Sequence, residues 1–474
     1  MRRAEIGDGK NRKELEKVYF SLNESEKELR IREMARKMVY DWKSWWRALH
    51  KNNYFVIKLG VSVLLVGLAF RLLYNRSSDL SPVADAPFLE NTRISAPPVV
   101  SVDFQENADQ NPTKEYGTEP SDSEGKCNLS NGDWVPYEGE PFYTNVSCSI
   151  IEDHQNCMKN GRPDTDYLYW RWNPHGCELP RFEPPRFLDL MRNKSWAFIG
   201  DSISRNHVQS FLCVLSTVEK AIEVYHDENY KSRRWFFPSY NFTVSVIWSP
   251  FLAQAAIFED INGVSTSEIE LHLDKLDKNW TELYKSLDYM IIAAGKWFIK
   301  TAIYYEENTI LGCHYCPKRN LTELGFNFAY RKVMRNVFDY IISSNHKGMI
   351  FYRTTTPDHF EGGEWFRGGA CKRKEPAKEG EFELNELNKI LRDIELEEFE
   401  KASAKASQES VNLKLLDVTP LSLLRPDGHP GPYRFFQPFA KDKNATIIND
   451  CLHWCLPGPI DSWNDLLMEM VANG

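Results

Sequence analysis

From Tyr54 to Tyr74 the chain reads YFVIKLGVSVLLVGLAFRLLY, an apolar run interrupted only by Lys58 near one end and Arg71 near the other. About 20 residues span a bilayer, and charges that close to the headgroups can snorkel, so the run predicts one transmembrane helix over 54–74. Residues 75–126 show no periodicity. They carry six prolines, many acidic and small polar residues and neither Cys nor Trp, which predicts a disordered stem. Beyond Cys127 short apolar runs alternate with helical spacings. Ser195-Trp-Ala-Phe-Ile199 predicts a strand and Gly200-Asp201-Ser202 a sharp break. Apolar residues at 208, 211, 212 and 215 then predict a helix over 203–215. Leu384, Leu387, Leu391 and Ile394 predict an acidic helix within 383–405 that packs on a core. No internal repeat is visible.

Charge gives the apolar run an orientation. Residues 1–53 hold 14 Lys and Arg against 9 Asp and Glu, whereas residues 77–126 hold 3 against 10. The positive-inside rule places the N-terminus in the cytosol and the rest across the membrane, a type II topology. The charged residues ahead of the run, with no small-residue cleavage site after it, exclude a cleaved secretory signal. Trp42-Lys-Ser-Trp-Trp-Arg47 fits an interfacial anchor at the end of the cytosolic tail. The 474 residues, with a formal net charge of −9, allow two or three domains. The acidic balance argues against nucleic acid as a partner.

Cysteine placement agrees with this topology. All ten lie beyond the span, where disulfides persist: Cys127, Cys148, Cys157, Cys177, Cys213, Cys313, Cys316, Cys371, Cys451 and Cys455. Sequence alone leaves their pairing open. Cys313-His-Tyr-Cys316 has zinc-like spacing, but no second pair follows, so a disulfide staple is expected there and no metal site. Asn128, Asn145, Asn193, Asn241, Asn279, Asn320 and Asn444 begin Asn-x-Ser/Thr sequons, as a glycosylated lumenal part would allow. The chain thus divides into a cytosolic tail (1–53), the span (54–74), the stem (75–126), a segment dense in Cys, Trp, Pro and Tyr (127–193) and an alternating strand and helix domain (194–474).

The candidate chemistry begins at the break after the first strand. A serine at a strand-to-helix turn has its hydroxyl exposed at the sheet edge, and the first amides of the helix point towards any oxyanion formed there. Ser202 is therefore a candidate nucleophile, although Gly-Asp-Ser alone is also an ordinary N-capped turn. A serine needs a base, and the base an orienting carboxylate. In Asn449-Asp-Cys-Leu-His-Trp-Cys455, Asp450 and His453 are three apart, which would place them on one face of a helical turn, with Cys451 and Cys455 and the following Pro-Gly-Pro stiffening it. The plain alternative is a disulfide-pinned loop whose Asp and His cap backbone groups. His359 and His429 lie in turn-rich segments where a structural role is the commoner one. Some of the fourteen Trp could stack on sugars, and burial explains most of them equally well.

Together these segments resemble the plant trichome birefringence-like proteins, Golgi polysaccharide O-acetyltransferases related to the SGNH/GDSL esterases. The likeness covers Cys127 to the C-terminus. Asn131-Gly-Asp-Trp-Val135, Asn160-Gly-Arg-Pro-Asp164, Trp170-Arg-Trp172 and Cys177-Glu-Leu-Pro-Arg-Phe182 are similar to that family's cysteine-rich N-terminal module. Phe198-Ile-Gly-Asp-Ser-Ile-Ser-Arg-Asn206 and Asp450-Cys-Leu-His453 match its GDS and Asp-x-x-His blocks, and Arg353-Thr-Thr-Thr-Pro-Asp-His-Phe-Glu-Gly-Gly363 resembles a further segment. The resemblance implies an α/β fold of three αβα layers around a mostly parallel sheet, preceded by a small Cys-rich module. It also implies that Ser202 is acylated, His453 is the base and Asp450 orients it. Where many members have Asn-Thr-Gly-His-Trp, this chain has Ala293-Ala-Gly-Lys-Trp297, so the asparagine oxyanion donor of related esterases has no counterpart there. Gly200, Asp201, Arg205 and Asn206 become the oxyanion or substrate candidates, and Arg205 and Asn206 could equally tie the helix to the module.

The expectation is a Golgi-lumenal O-acetyltransferase that moves acetyl through Ser202 to a hydroxyl of a hemicellulose such as xyloglucan, mannan or xylan. No metal or cofactor is required beyond an acetyl donor of unknown identity. Acetyl-CoA could supply acetyl only indirectly, through an acetyl-supplying membrane protein, because a single span separates the domain from the cytosol. Two rivals stand beside this reading. In an acetylesterase water would replace the sugar, and in a polysaccharide-binding protein the triad would be idle.

Overall fold

The computed structural model describes residues 127–258, 267–363 and 367–473. The expected tail, span and stem lie outside the described residues, among which no helix is long and apolar enough to cross a membrane. The Cys-rich segment opens on two strands, β1 (Gly132–Pro136) and β2 (Trp170–Pro174), paired antiparallel with Trp134 opposite Trp172. These two rings meet edge to face at 5.7 Å, an arrangement that aromatic quadrupoles favour. The segment has no core of its own. Trp134, Tyr143, Trp172 and Leu179 share one apolar cluster with Trp196, Phe211 and Trp463. Cys148 is bonded to Cys213 and Cys157 to Cys455, which pins the segment to the rest of the fold.

After the short helix α1 (Pro184–Leu190) come β3 (Ser195–Gly200) and α2 (Ser202–Leu215), the strand, break and helix that the apolar pattern predicts. The strands β4 (Ile222–His226), β5 (Arg233–Phe237) and β6 (Phe242–Trp248) follow, then β7 (Ala253–Ala256), β8 (Ile269–Leu276) and β9 (Tyr289–Ile292). Next are β10 (Ala302–Glu306), β11 (Thr309–His314), α3 (Gly325–Ser343), β12 (Met349–Arg353), α4 (Glu386–Gln408), β13 (Leu413–Leu416) and α5 (Ser462–Ala472).

The main sheet has the order β13-β12-β9-β3-β6-β5-β4. Its first five strands are parallel, and β5 and β4 extend it antiparallel. A second sheet, β11-β10-β8-β7, is mixed and was not foreseen from sequence. Because side chains alternate along a strand, β3 feeds two cores. Trp196 and Phe198 pack with Phe211 of α2 and Trp463 of α5, whereas Ala197 and Ile199 pack with Val333 of α3 and Leu391 of α4. Full burial of a side chain such as Phe198 contributes about 2–3 kcal/mol. The result is the expected αβα layering. The acidic helix begins three residues later than its pattern suggests, and its Leu387 is 40% exposed while Glu395 and Glu398 are buried.

The chain leaves β3 to build β6 on one side and later returns to β9 on the other. Strand order reverses beside β3, and ligands of open α/β sheets bind at such a switch point, outside the carboxyl ends of the strands. Ser202 lies two residues beyond that end.

Candidate active site

Gly200 ends β3 at φ +154°, and a Cβ there would collide with the carbonyl oxygen of Ala293, so only glycine lets β3 approach the segment after β9 this closely. Asp201 caps α2 by accepting the Ile203 amide at 3.0 Å and is buried. Its carboxylate thus serves as the N-cap of α2. Ser202 follows as the first residue of the helix, half-buried.

The candidate base comes from a loop. Asp450 and His453 do not share a helical turn, contrary to the expectation from their spacing. The backbone of Asp450 exchanges two hydrogen bonds with Gly431, at 2.9 and 3.0 Å, while its carboxylate accepts the amides of Leu452 and His453 and curls the loop back on itself. This brings His453 Nδ1 to 2.9 Å from Asp450 Oδ2 and His453 Nε2 to 2.8 Å from Ser202 Oγ. Burial alone would raise the Asp450 carboxyl. The adjacent His453 ring, Arg434 at 3.7 Å and the His453 amide overcome it and hold the group well below the usual carboxylate range. An ionised Asp450 only accepts, so His453 carries its hydrogen on Nδ1 and presents a lone pair to the Ser202 hydroxyl. Serine, neutral imidazole and carboxylate are then in the order that general-base activation needs.

Several contacts fix this loop. Asn206, one turn beyond Ser202, donates to the Trp454 carbonyl at 3.2 Å and accepts the Trp454 amide at 2.7 Å. Its amide is therefore spent on the histidine loop, which corrects its candidacy as an oxyanion donor. Arg205 instead lies over the Trp248 ring at 5.1 Å, at the end of β6 beside the nucleophile turn. His429 is buried and donates from Nδ1 to the His453 carbonyl at 2.7 Å; His359, also buried, contacts His429 and donates to the Leu423 carbonyl. Both histidines brace the loop from behind. Cys451 and Cys455, on either side of His453, bond not to each other but to Cys371 and Cys157. Cys127–Cys177 and Cys313–Cys316 complete the set, so all ten cysteines are paired and the metal-like spacing at 313–316 is a disulfide. Lys296, in the Ala293-Ala-Gly-Lys-Trp297 segment, is held by Asp358 at 3.3 Å and by Asn388.

Sequence reading missed one group at this site. His154, in the short turn Asp153–Gln155 of the Cys-rich segment, has its ring centroid 6.2 Å from that of His453, edge to face. A lone histidine near a cysteine carries no motif, so only the fold could find it. The same segment also donates, through Tyr143 and the Phe182 amide, to two buried carboxyls that follow the histidine loop in the chain. Asp461 accepts from Tyr143, Ser210 and the Gly458 amide, and Asp465 accepts the Phe182 amide at 2.8 Å. Burial pushes Asp461 up to about 6 and Asp465 up to about 7.

A raised carboxyl binds its proton more tightly in the folded state, so folding stability falls as pH rises from the unfolded value near 4 to about 7. Asp465→Asn mimics the protonated acid. It is expected to be more stable than the native chain at pH 8, by up to about 4 kcal/mol, and to converge with it near pH 4. Urea melts of both proteins across that range check the sign; a variant destabilised equally at both ends would show that the carboxylate itself is needed.

A serine at the switch point of a three-layer α/β fold, bonded to a histidine that a carboxylate orients, defines an esterase-like acyl-handling protein. Residues 179–470 match the GDSL/SGNH-like acyl-esterase family found in Pmr5 and Cas1p, and residues 125–178 match the Pmr5 N-terminal domain. The chain belongs to that family, in its trichome birefringence-like branch. It is 56% identical over 427 residues to trichome birefringence-like 23 of Arabidopsis thaliana, covering 90% of this chain and 96% of that protein. Xyloglucan O-acetyltransferase 2 of Populus trichocarpa is 44% identical over 356 residues (74% and 83% of the two chains), and xyloglucan O-acetyltransferase 1 of Arabidopsis thaliana is 42% identical over 403 (85% and 92%).

Proposed function

We propose that this protein is a plant cell-wall polysaccharide O-acetyltransferase that carries acetyl on Ser202. The observation that carries the reading is the 2.8 Å contact between His453 Nε2 and Ser202 Oγ, in a chain whose relatives include proteins named xyloglucan O-acetyltransferase. His453 takes the Ser202 proton as Oγ bonds to the acetyl carbon of the donor, and the same proton then leaves with the donor's departing group. In the second half the acceptor hydroxyl gives its proton to His453 and its oxygen bonds to the acetyl carbon. The Oγ–carbon bond breaks, and Oγ recovers the proton. The Ser202 amide, at the N-terminus of α2, faces the oxyanion formed in each half. No metal or cofactor enters this chemistry. Hemicellulose is the acceptor class we favour. The basic N-terminal flank and the apolar run at 54–74 support a type II anchor with the enzyme in the Golgi lumen, and the paired cysteines accord with such an oxidising compartment.

The test incubates the purified full chain with an acetyl ester donor and oligosaccharides of xyloglucan, mannan and xylan, following sugar esters by mass spectrometry. Sugar esters should form with at least one acceptor. Acetate released to water with no sugar ester would identify an esterase, and no turnover of the ester at all would leave a binding protein.

A further inference from the structure

The turn that carries His154 is fastened to both halves of the site. The Glu152 amide donates to Gln209 of α2 at 2.8 Å, the Leu456 amide of the histidine loop donates to the Gln155 carbonyl at 2.9 Å, and Cys157 is bonded to Cys455. The imidazole is thus held on the same rigid elements as Ser202 and His453, as a group that meets substrate must be. It is also accessible, with 34% of its side chain exposed. Gln155 Nε2, a donor only, lies 3.3 Å from His154 Nε2, so the ring carries its hydrogen on Nδ1. Among the described residues no hydrogen-bond partner of that Nδ1 is found. Burial first, then the neighbouring His453 ring, push His154 down to about 4, so it is a neutral donor and not a cation at neutral pH. Its Nε2 is 3.7 Å from Glu152, beyond hydrogen-bond length.

Two imidazoles with ring centroids 6.2 Å apart, one bonded to the nucleophile and the other offering a free N–H, match a pair of adjacent hydroxyls. Vicinal sugar oxygens are separated by about 3 Å, the length of one hydrogen bond, so the hydroxyl that faces His453 leaves its neighbour within reach of His154. We propose that His154 determines acceptor specificity by donating from Nδ1 to the hydroxyl next to the one that is acetylated, so that the site selects secondary ring hydroxyls with a free neighbour. A primary hydroxyl has no such neighbour and gains nothing from this contact. The inference rests on the acetyl-serine reading and deepens it by naming the acceptor geometry.

The experiment separates the two. The full chain, His154→Ala and His154→Gln are first acetylated with 4-nitrophenyl acetate, whose nitrophenol burst reports acetyl-serine without any sugar. Partition of the acetyl group is then measured between water, xylotriose or mannotriose, and the 2-deoxy and 3-deoxy forms of each. The native chain should lose about tenfold in transfer when the neighbouring hydroxyl is removed. His154→Ala should keep the burst and treat parent and deoxy sugars alike, and His154→Gln, which keeps an N–H donor, should recover part of the discrimination. A missing burst in the native chain would overturn the acetyl-serine reading itself. A normal burst with the same deoxy penalty in native and His154→Ala proteins, a native burst with transfer to water alone, or a burst lost in both variants would overturn the role of His154 and leave acetyl-serine standing.

Discussion

Ser202→Ala is expected to lower acetyl transfer by about 10⁴-fold or more and to abolish the acetylated form of the intact protein in mass spectra. His453→Ala should cost nearly as much, and the double variant little more than either single one, because nucleophile and base act as a unit. The fold should survive both changes. Ser202 is only half-buried at the first position of α2, and the loop around His453 keeps its bonds to Asn206, Gly428 and Gly431. Equal thermal stability with lost turnover is therefore the expected pair of readings. Undiminished transfer in Ser202→Ala would place the acetyl group elsewhere, whatever the geometry at 2.8 Å.

The second large effect concerns the disulfide between Cys157 and Cys455, which closes a loop of 298 residues. Chain-entropy estimates for so long a loop give about 6 kcal/mol, just above the upper end of what native disulfides contribute. Replacing both cysteines by serine should lower stability by about that amount in denaturant melts. It should also reduce turnover in the molecules that remain folded, because one end of the bond lies two residues from His453 and the other three from His154. Removing Cys313–Cys316, which closes a loop of three residues far along the second sheet, should leave turnover unchanged. A 157–455 variant with native kinetics would show that the loop's hydrogen bonds suffice.

Some of this was written in the sequence and some was not, for physical reasons. The strand, break and helix at 195–215 were legible because apolar periodicity, a glycine at positive φ and an N-capping aspartate all agree there. Asp450 and His453 were legible as chemistry but not as geometry. Their spacing suits a helix, yet backbone pairing with Gly431, a partner 19 positions away, makes them a curled loop. The second sheet was hidden for the same reason: the pairing of β7, β8, β10 and β11 depends on register that no local pattern records. Asn206 looked like an oxyanion donor because it lies one turn from the serine. What decides its role is the Trp454 backbone, 248 residues away. His154 had no motif at all; its meaning comes from the ring that the fold sets beside it.

Ser202 and the histidine proposed to activate it are 251 residues apart, with the serine first. At about 5–20 residues per second a ribosome takes roughly ten to fifty seconds to make the intervening chain. Throughout that interval Ser202 has no imidazole beside it, and its hydroxyl is no more reactive than that of an ordinary surface serine. The growing polypeptide is therefore chemically silent until the histidine loop has been made, and any product cut short before His453 stays so permanently.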